Sequence, residues 1–235
     1  TQAQLAALAE ENGMPVELLA RQYESAEAKD SLKNRAREVK VLGTYPVGRF
    51  PICPVFDGTR LWLTARNDDA VVALDPATGR VAGTVKTGSQ PNGIAFDGRN
   101  IWVTNYASNN VSVVPVAVLA PTAARTIAVA PNPNGIVFDG TNIWVVSQKN
   151  GTVTKIDPRS GSDIGTYTVG SSPQGIAFDG TNIWVANIGS NNVTKIVAAS
   201  GLVVGSYPAG SAPFSIVFDR GGYANSTSAY DGTGY

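Results

Sequence analysis

Residues 173–196 read PQGIAFDGTNIWVANIGSNNVTKI, and residues 91–114 repeat them as PNGIAFDGRNIWVTNYASNNVSVV. Looser copies surround this unit, because a Phe-Asp pair recurs at steps of 40, 42, 40 and 40 residues. The pairs are Phe56-Asp57, Phe96-Asp97, Phe138-Asp139, Phe178-Asp179 and Phe218-Asp219. A tryptophan follows the first four pairs, at Trp62, Trp102, Trp144 and Trp184. Tandem repeats of about 40 residues are typical of propellers, solenoids and other arrays.

Each unit contains four short strand patterns separated by turn signals. In the last complete unit the predicted strands are residues 175–178, 183–186, 192–197 and 206–209. The Asp-Gly pair between the first two strands suits a tight hairpin, because both residues tolerate left-handed conformations. Four antiparallel strands per repeat predict the blades of an all-β propeller. A solenoid is the alternative, but the turns have the lengths of hairpin loops.

The number of blades follows from the irregular ends of the repeat. Complete units cover residues 51–88, 91–130, 133–170 and 173–210, and a fifth begins at Pro213. After Asp219 the fifth unit loses its tryptophan strand, whereas residues 44–48 match the fourth strand at 166–170. We therefore predict five blades, the fifth reduced and closed by the N-terminal strand. The alternative is a fragment or an open assembly, whose unpaired edge would favour oligomers.

Composition divides the chain into three parts. Every glutamate lies in residues 1–40, where apolar residues follow a helical spacing. We predict a helical segment at 1–40, the propeller at 41–225 and a polar tail at 226–235. Residues 12–42 resemble the helical arms of trigger-factor-type chaperones, and a helical hairpin or a linker is the interpretation that we favour.

Two four-residue motifs carry a family resemblance. Trp102-Val103-Thr104-Asn105 and Trp184-Val185-Ala186-Asn187, each followed by Asn-Asn-Val, resemble the YVTN-type bacterial β-propeller repeat, which is related to NHL-type propellers. The resemblance covers residues 44–219 and implies a propeller fold and a secreted or cell-surface location. The repeat is also similar to that of the streptogramin-opening, virginiamycin B lyase-like propellers.

Missing residue types limit the chemistry. The chain has no histidine, so it lacks the general base that the resemblance to streptogramin lyases implies, and a Ser/His/Asp triad is excluded. The propeller part has no glutamate, which sugar-lactonase-like propellers need for their metal site. Eighteen basic and 18 acidic residues give zero net charge, which argues against a nucleic-acid partner. No apolar run is long enough to span a membrane. We expect no catalytic residue, metal or cofactor.

Two repeated sets of polar residues allow a structural or a functional interpretation. The recurring aspartates Asp57, Asp97, Asp139, Asp179 and Asp219 could ring a metal, but we favour hydrogen bonds to the amides of their own turns. The loop asparagines satisfy loop backbone or form a binding rim. They are Asn105, Asn109, Asn110, Asn187, Asn191 and Asn192.

The predicted ligand site lies where the first strand of each unit begins, beside the central channel. Pro-Asn-Gly or a variant of it opens these strands, and the candidate ligand-binding residues are Asn92, Asn134, Gln174 and Phe214. Glycine there lets backbones crowd at the axis. In the first unit Cys53 replaces this glycine, and we expect it to be an apolar filler.

Three functions from different classes remain open. We favour a non-catalytic binding or scaffold module for a protein or small ligand, because the repeat carries fold information and catalytic residue types are missing. The second is a lyase or hydrolase that uses Asp and a divalent cation. The third is a structural module that self-associates through the reduced fifth blade.

Overall fold

A computed structural model of the chain describes residues 43–117, 119 and 124–218. These residues form four antiparallel sheets of four strands each. Blade 1 contains β1 (Pro51–Phe56), β2 (Leu61–Ala65), β3 (Ala70–Leu74) and β4 (Val81–Lys86). Blade 2 contains β5 (Pro91–Phe96), β6 (Asn100–Asn105), β7 (Asn110–Pro115) and β8 (Arg125–Ala128). Blade 3 contains β9 (Pro133–Phe138), β10 (Ile143–Ser147), β11 (Thr152–Ile156) and β12 (Asp163–Thr168). Blade 4 contains β13 (Pro173–Phe178), β14 (Asn182–Asn187), β15 (Asn192–Val197) and β16 (Val203–Pro208).

Each sheet is a simple meander in which strands pair in sequence order. The first strands of successive blades are neighbours, so β1, β5, β9 and β13 lie side by side at the centre. The fourth strands lie at the outside and expose most of their residues, as β16 does. This arrangement confirms the predicted all-β propeller of four-stranded blades.

The hydrophobic core lies between adjacent blades. Trp62 packs with Ile101 of blade 2, Trp102 with Ile143 of blade 3, and Trp144 with Ile183 of blade 4. All three tryptophans are fully buried, and burying an aliphatic or aromatic side chain stabilises a fold by about 1.5–3 kcal/mol. Each blade thus completes its core only against a neighbour, as stacked repeats do.

The repeated aspartates fasten the first hairpin of each blade to its tryptophan. In blade 2, Asp97 Oδ1 accepts the backbone N–H groups of Arg99 (2.7 Å) and Asn100 (2.6 Å), and Oδ2 accepts Trp102 Nε1–H at 2.7 Å. The same 2.7 Å indole–carboxylate bond recurs in the other three described blades. The turn interpretation of the four described aspartates is therefore confirmed, and Asp219 lies outside the described residues.

These hydrogen bonds also change the acidity of the carboxyls. Burial alone would raise the pKa of Asp57, Asp97 and Asp179. The donated hydrogen bonds outweigh burial, because they stabilise the charged form, and they hold all three pKa values below the usual one. These three carboxylates are therefore ionised and already occupied by donors.

A second contact links three of the four described blades to the start of the next unit. The residue before the first proline of each unit has a left-handed backbone with φ between 49° and 56°, and these residues are Phe50, Gln90, Asn132, Ser172 and Ala212. A carboxylate or amide oxygen from the previous blade accepts the N–H of three of them. The pairs are Asp69 Oδ1 with Gln90 (2.9 Å), Asn109 Oδ1 with Asn132 (3.0 Å), and Asn191 Oδ1 with Ala212 (2.8 Å).

The other loop asparagines bond within their own loop. Asn105 Nδ2 donates to Asn110 Oδ1 at 2.7 Å, and Asn187 Nδ2 donates to Asn192 Oδ1 at 2.8 Å. The structure therefore supports the structural interpretation of the loop asparagines, through side-chain bonds as well as backbone ones.

The ends of the repeat are less regular. Residues 213–218 form no strand, yet Phe214 and Ser215 lie beside Gly175 of β13, as the innermost strand of a further unit would. Residues 45–48 also form no strand, but the Tyr45 ring covers Gly79 as the Tyr167 ring covers Gly201. Residues 219–235 lie outside the described part, so the reduced fifth blade and the ring closure remain predictions.

The remaining predicted segments also lie outside the described residues. Contacts divide the chain into Thr1–Thr44 and a unit that starts at Tyr45, and every described strand belongs to the second. The helical segment at 1–40, the tail at 226–235 and the domain boundaries stay predictions. No helix in the described part combines the length and the apolar character that crossing a membrane requires.

Candidate ligand-binding cavity at the propeller centre

The innermost strands surround a cavity of about 510 Å³, open to solvent. Its walls come from β1, β5, β9 and β13 and from residues 214–216. Three consecutive residues of each strand border the cavity. The volume lies within the range of ordinary small-molecule sites.

Glycine lets neighbouring inner strands approach at the second position after the proline. A Cβ atom added at Gly93 would overlap the Asn134 carbonyl oxygen, and one at Gly135 would overlap that of Gln174. A Cβ atom at Gly175 would lie 2.9 Å from the Phe214 carbonyl oxygen. The predicted reason for these glycines is confirmed, and the crowding is between the inner strands of consecutive blades.

Threonine hydroxyls fix the spacing of the first three inner strands. Thr104 Oγ1 accepts the Gly93 N–H at 2.8 Å and donates to the Asn134 carbonyl at 2.6 Å. Thr64 Oγ1 in blade 1 likewise accepts the Cys53 N–H at 3.1 Å and donates to the Asn92 carbonyl at 3.0 Å. The sequence analysis missed these bridges, although threonine at the same place in two units was a visible signal.

The four predicted ligand-binding residues all lie on this lining. Asn92, Asn134, Gln174 and Phe214 occupy the same position in successive inner strands, and Ile52 holds that position in β1. Asn92 Nδ2 donates to Asn134 Oδ1 at 3.1 Å, and Phe214 is 56% exposed. We call this ring the carboxamide layer. The structure brings the residues together, and binding by them stays a prediction.

A second ring lies two residues further along each strand. Its members are Pro54, Ile94, Ile136, Ile176 and Ile216. We call this ring the aliphatic layer. Among the described residues, no aspartate, glutamate, lysine or arginine contributes to either layer of the cavity. The cavity therefore offers hydrogen-bonding groups in one layer and only apolar surface in the other.

Cys53 also lies on the lining, at the place where the other blades have glycine. Burial raises the pKa of its thiol, because the thiolate would lose hydration. A protonated thiol is a weak nucleophile and a weak metal ligand. These properties agree with the filler role that we expected.

A wider cleft of about 1120 Å³ lies between the turns of blades 2 and 3, and the sequence analysis did not predict it. Arg99, Arg125 and Arg159 contribute to its wall. Arg125 Nη2 is directed at the Pro158 carbonyl, 3.5 Å away, which is a contact between blades. Backbone N–H groups of the 157–160 turn lower the pKa of the Asp157 carboxyl. Arg125 therefore links blades 2 and 3 at this cleft.

Comparisons with known proteins show the fold. No family model matches the chain, and no curated protein matches it. Hydrazine synthase of Kuenenia stuttgartiensis is 27% identical, with a TM-score of 0.60, over 71% of this chain and 52% of that chain. Virginiamycin B lyase of Staphylococcus aureus is 18% identical, with a TM-score of 0.65, over 77% of this chain and 65% of that one. A protein of unknown function from Desulfotomaculum acetoxidans is 18% identical, with a TM-score of 0.66, over 77% and 63%.

The matched structures are longer than this chain, and their similarity to it is one of fold. The chain spans between about half and two thirds of the length of the structures it matches. The resemblance to virginiamycin B lyase-like propellers is supported at the level of fold, whereas the YVTN and NHL assignment stays a prediction. The chain is a β-propeller similar in fold to these proteins.

Proposed function

We propose that this propeller is a non-catalytic binding module whose central cavity takes a small, uncharged ligand. The observation that carries the proposal is the two-layer lining, with Asn92, Asn134 and Gln174 in one layer and aliphatic side chains in the other. Such a site suits a ligand with hydrogen-bonding groups at one end and an apolar part at the other. A charged ligand would lose hydration without finding a counter-charge.

The residues of the cavity argue against catalysis. General acid–base chemistry needs a titratable group within hydrogen-bond reach of the reacting atoms. The part of the lining that the structure describes contains no carboxylate or lysine, the chain has no histidine, and burial raises the pKa of the one thiol there, Cys53. The Asp-and-metal alternative is not favoured, because the four described hairpin carboxylates accept indole and amide donors.

The three carboxamides suit ligands that both donate and accept hydrogen bonds. Each side-chain amide offers two N–H donors and one oxygen acceptor. The Asn92–Asn134 bond uses one donor and one acceptor of the pair, which leaves other positions for a ligand. Amide- or hydroxyl-bearing compounds with an apolar end match this pattern, and Phe214 adds an exposed aromatic face at the same level.

Ligand-observed NMR with a library of neutral, amphipathic small molecules tests the proposal. We expect a set of compounds that compete for one site in the wild-type protein. Gln174→Ala and Phe214→Ala should each weaken their binding about tenfold or more, as expected for direct contacts. Asn150→Ala, an exposed loop change, is the matched control and should leave binding unchanged. An absence of competing compounds, or compounds whose binding ignores both lining changes, would refute a ligand site in this cavity.

A further inference from the structure

The cleft between the turns of blades 2 and 3 carries three arginines, and we call it the arginine cleft. Arg99 comes from the β5–β6 hairpin, Arg125 opens β8, and Arg159 lies in the β11–β12 turn. All three residues are exposed. The cleft has a volume of about 1120 Å³ and shares no lining residue with the central cavity. The cleft and the cavity are therefore two separate sites.

These arginines replace small or neutral residues of the repeat. In the other three described blades, threonine stands at the Arg99 position and glycine at the Arg125 position, and alanine stands at the Arg159 position in blades 1 and 4. The equivalent residues are Thr59, Thr141 and Thr181, then Gly83, Gly165 and Gly205, then Ala77 and Ala199. The other blades pack without these charges, so blade packing alone does not require three arginines at this junction.

One of the three arginines is held in place by the neighbouring blade. Arg125 Nη2 lies 3.5 Å from the Pro158 carbonyl oxygen, and a Cβ atom added at Gly161 would lie 3.2 Å from Arg125 Nη1. The Arg125 guanidinium therefore rests on the turn that contains Arg159, so two positive charges meet at one turn. The contact with Pro158 uses one of the five N–H donors of the Arg125 guanidinium, and the other four can bind a ligand.

No carboxylate of the described residues forms an ion pair with these arginines. The one ion pair in that part of the chain lies in blade 1. The two carboxylates on the cleft wall bond to their own turns, because Asp97 accepts the Arg99 N–H at 2.7 Å and Asp157 accepts the Arg159 N–H at 2.8 Å. The connection before β8, residues 118–123, reads VLAPTA and has no charged residue. The described cleft wall therefore has three cations and two carboxylates that already accept hydrogen bonds.

A carboxamide on the cleft wall lacks a bond that its equivalents make. Asn100 and Asn182 each donate from Nδ2 to the aspartate of their own hairpin at 3.0 Å. Asn142 holds the same hairpin position in blade 3, but its Nδ2 makes no hydrogen bond within the described residues. Thr141 lies beside it on the cleft wall. The cleft therefore adds two neutral hydrogen-bonding side chains to its three guanidinium groups.

We propose that the arginine cleft binds the phosphate or sulfate ester of a small organic molecule. Guanidinium groups match the oxygens of such oxyanions, because their planar forks donate two parallel hydrogen bonds. The cleft has room for more than the oxyanion, and Phe138 and the exposed Ile164 provide apolar surface for the organic part. This ligand is anionic, so it differs in class from the uncharged ligand that we propose for the central cavity.

Calorimetric titration of the full-length protein with naphthyl phosphate and naphthyl sulfate, in a buffer free of phosphate, tests the proposal. We expect at least one ester to bind at low salt and to bind more weakly at high salt, since salt screens exposed charges. Neutral naphthol should displace neither ester. Tighter binding of naphthyl phosphate identifies a phosphate-ester site, and tighter binding of naphthyl sulfate identifies a sulfate-ester site.

Variants that restore the repeat complete the test. Arg99→Thr and Arg159→Ala introduce the residues of other blades and should each weaken ester binding about tenfold or more, because a charge-assisted hydrogen bond is lost. Arg80→Ala removes an exposed arginine from the equivalent turn of blade 1 and is the matched control. Gln174→Ala, in the central cavity, should leave ester binding unchanged. Circular dichroism confirms that each variant is folded. Absence of binding by both esters, displacement by naphthol, an equal loss in Arg80→Ala, or binding that ignores both cleft changes would overturn the proposal.

Discussion

The hairpins that join the first two strands of each blade, which we call the rim, keep the same contacts from blade to blade, whereas the residues that line the central cavity differ. At the rim, the four described blades make the same 2.7 Å bond between an aspartate and the tryptophan five residues later. In the carboxamide layer, equivalent positions hold different side chains, among them Ile52, Asn134 and Phe214. The repeated positions carry the packing of the blades, and the varied positions of the carboxamide layer are those that we propose to contact a ligand.

Breaking one rim contact should give the largest loss of stability. Asp97→Ala removes the acceptor of the buried Trp102 indole and of two turn amides. We expect the free energy of unfolding to fall by about 2–3 kcal/mol, because a buried donor loses its partner. Urea denaturation measures the change. Asp163→Ala, on an exposed strand position, is the control and should stay within about 0.5 kcal/mol. Equal effects of the two changes would show that the rim contact does not stabilise the fold.

Forcing the inner strands apart should give the second-largest loss of stability. In Gly135→Ala the new methyl group meets the Gln174 carbonyl, and overpacking of this kind costs about 1–3 kcal/mol. Gly210→Ala is the control, since a Cβ atom there meets nothing within 4 Å. Thermal unfolding should show a lower midpoint for the first variant alone. If both variants melt like the wild type, the inner strands are less crowded than described.

Acid should weaken the rim before it affects the cavity, because the lining residues that the structure describes include no carboxylate. The pKa values of Asp57, Asp97 and Asp179 are lower in the folded state than in the unfolded chain. Their contribution is therefore complete above the unfolded pKa of about 3.9 and is lost as the pH falls through the folded values. Urea denaturation at pH values from about 5 to about 2 should show falling stability. Asp97→Asn should flatten this dependence, whereas a variant that keeps the full wild-type slope would contradict the assignment.

The smallest effect on stability is expected inside the cavity. Asn134→Ala removes one side-chain hydrogen bond, which Asn92 donates at 3.1 Å. We expect the free energy of unfolding to change by less than about 1 kcal/mol, in the same urea assay. A loss as large as that of Asp97→Ala would mean that the carboxamide layer is part of the packing and not a position free to vary.

The repeat predicted the blades well and their strand limits less well. The predicted third strand, 192–197, coincides with β15 (Asn192–Val197), but the predicted first strand, 175–178, begins two residues late for β13 (Pro173–Phe178). The left-handed Ser172 turns the chain directly before Pro173, so pairing begins at the proline. Nothing in the residue type of Ser172 indicates a left-handed backbone, so the sequence alone did not place the start of this strand.

Part of the candidate site could also be predicted from the repeat. Asn92, Asn134 and Gln174 were predictable because they share one position in a repeat whose first strand must face the axis. The Thr64 and Thr104 bridges and the aliphatic layer depend on which strands become neighbours and on how far apart they lie. Residue types alone cannot supply those tertiary distances.

The link between Asn109 and Asn132 has an evolutionary consequence. Both halves of this blade-to-blade bond occur in three of the four described units: an acceptor side chain in the loop, and a left-handed residue before the next proline. Unequal recombination that copies one of these three units would therefore duplicate both halves of the bond and leave no mismatched joint. A protein of this kind can gain or lose complete blades in evolution. Each such event adds or removes one residue in each layer of the cavity and leaves the contacts between blades unchanged.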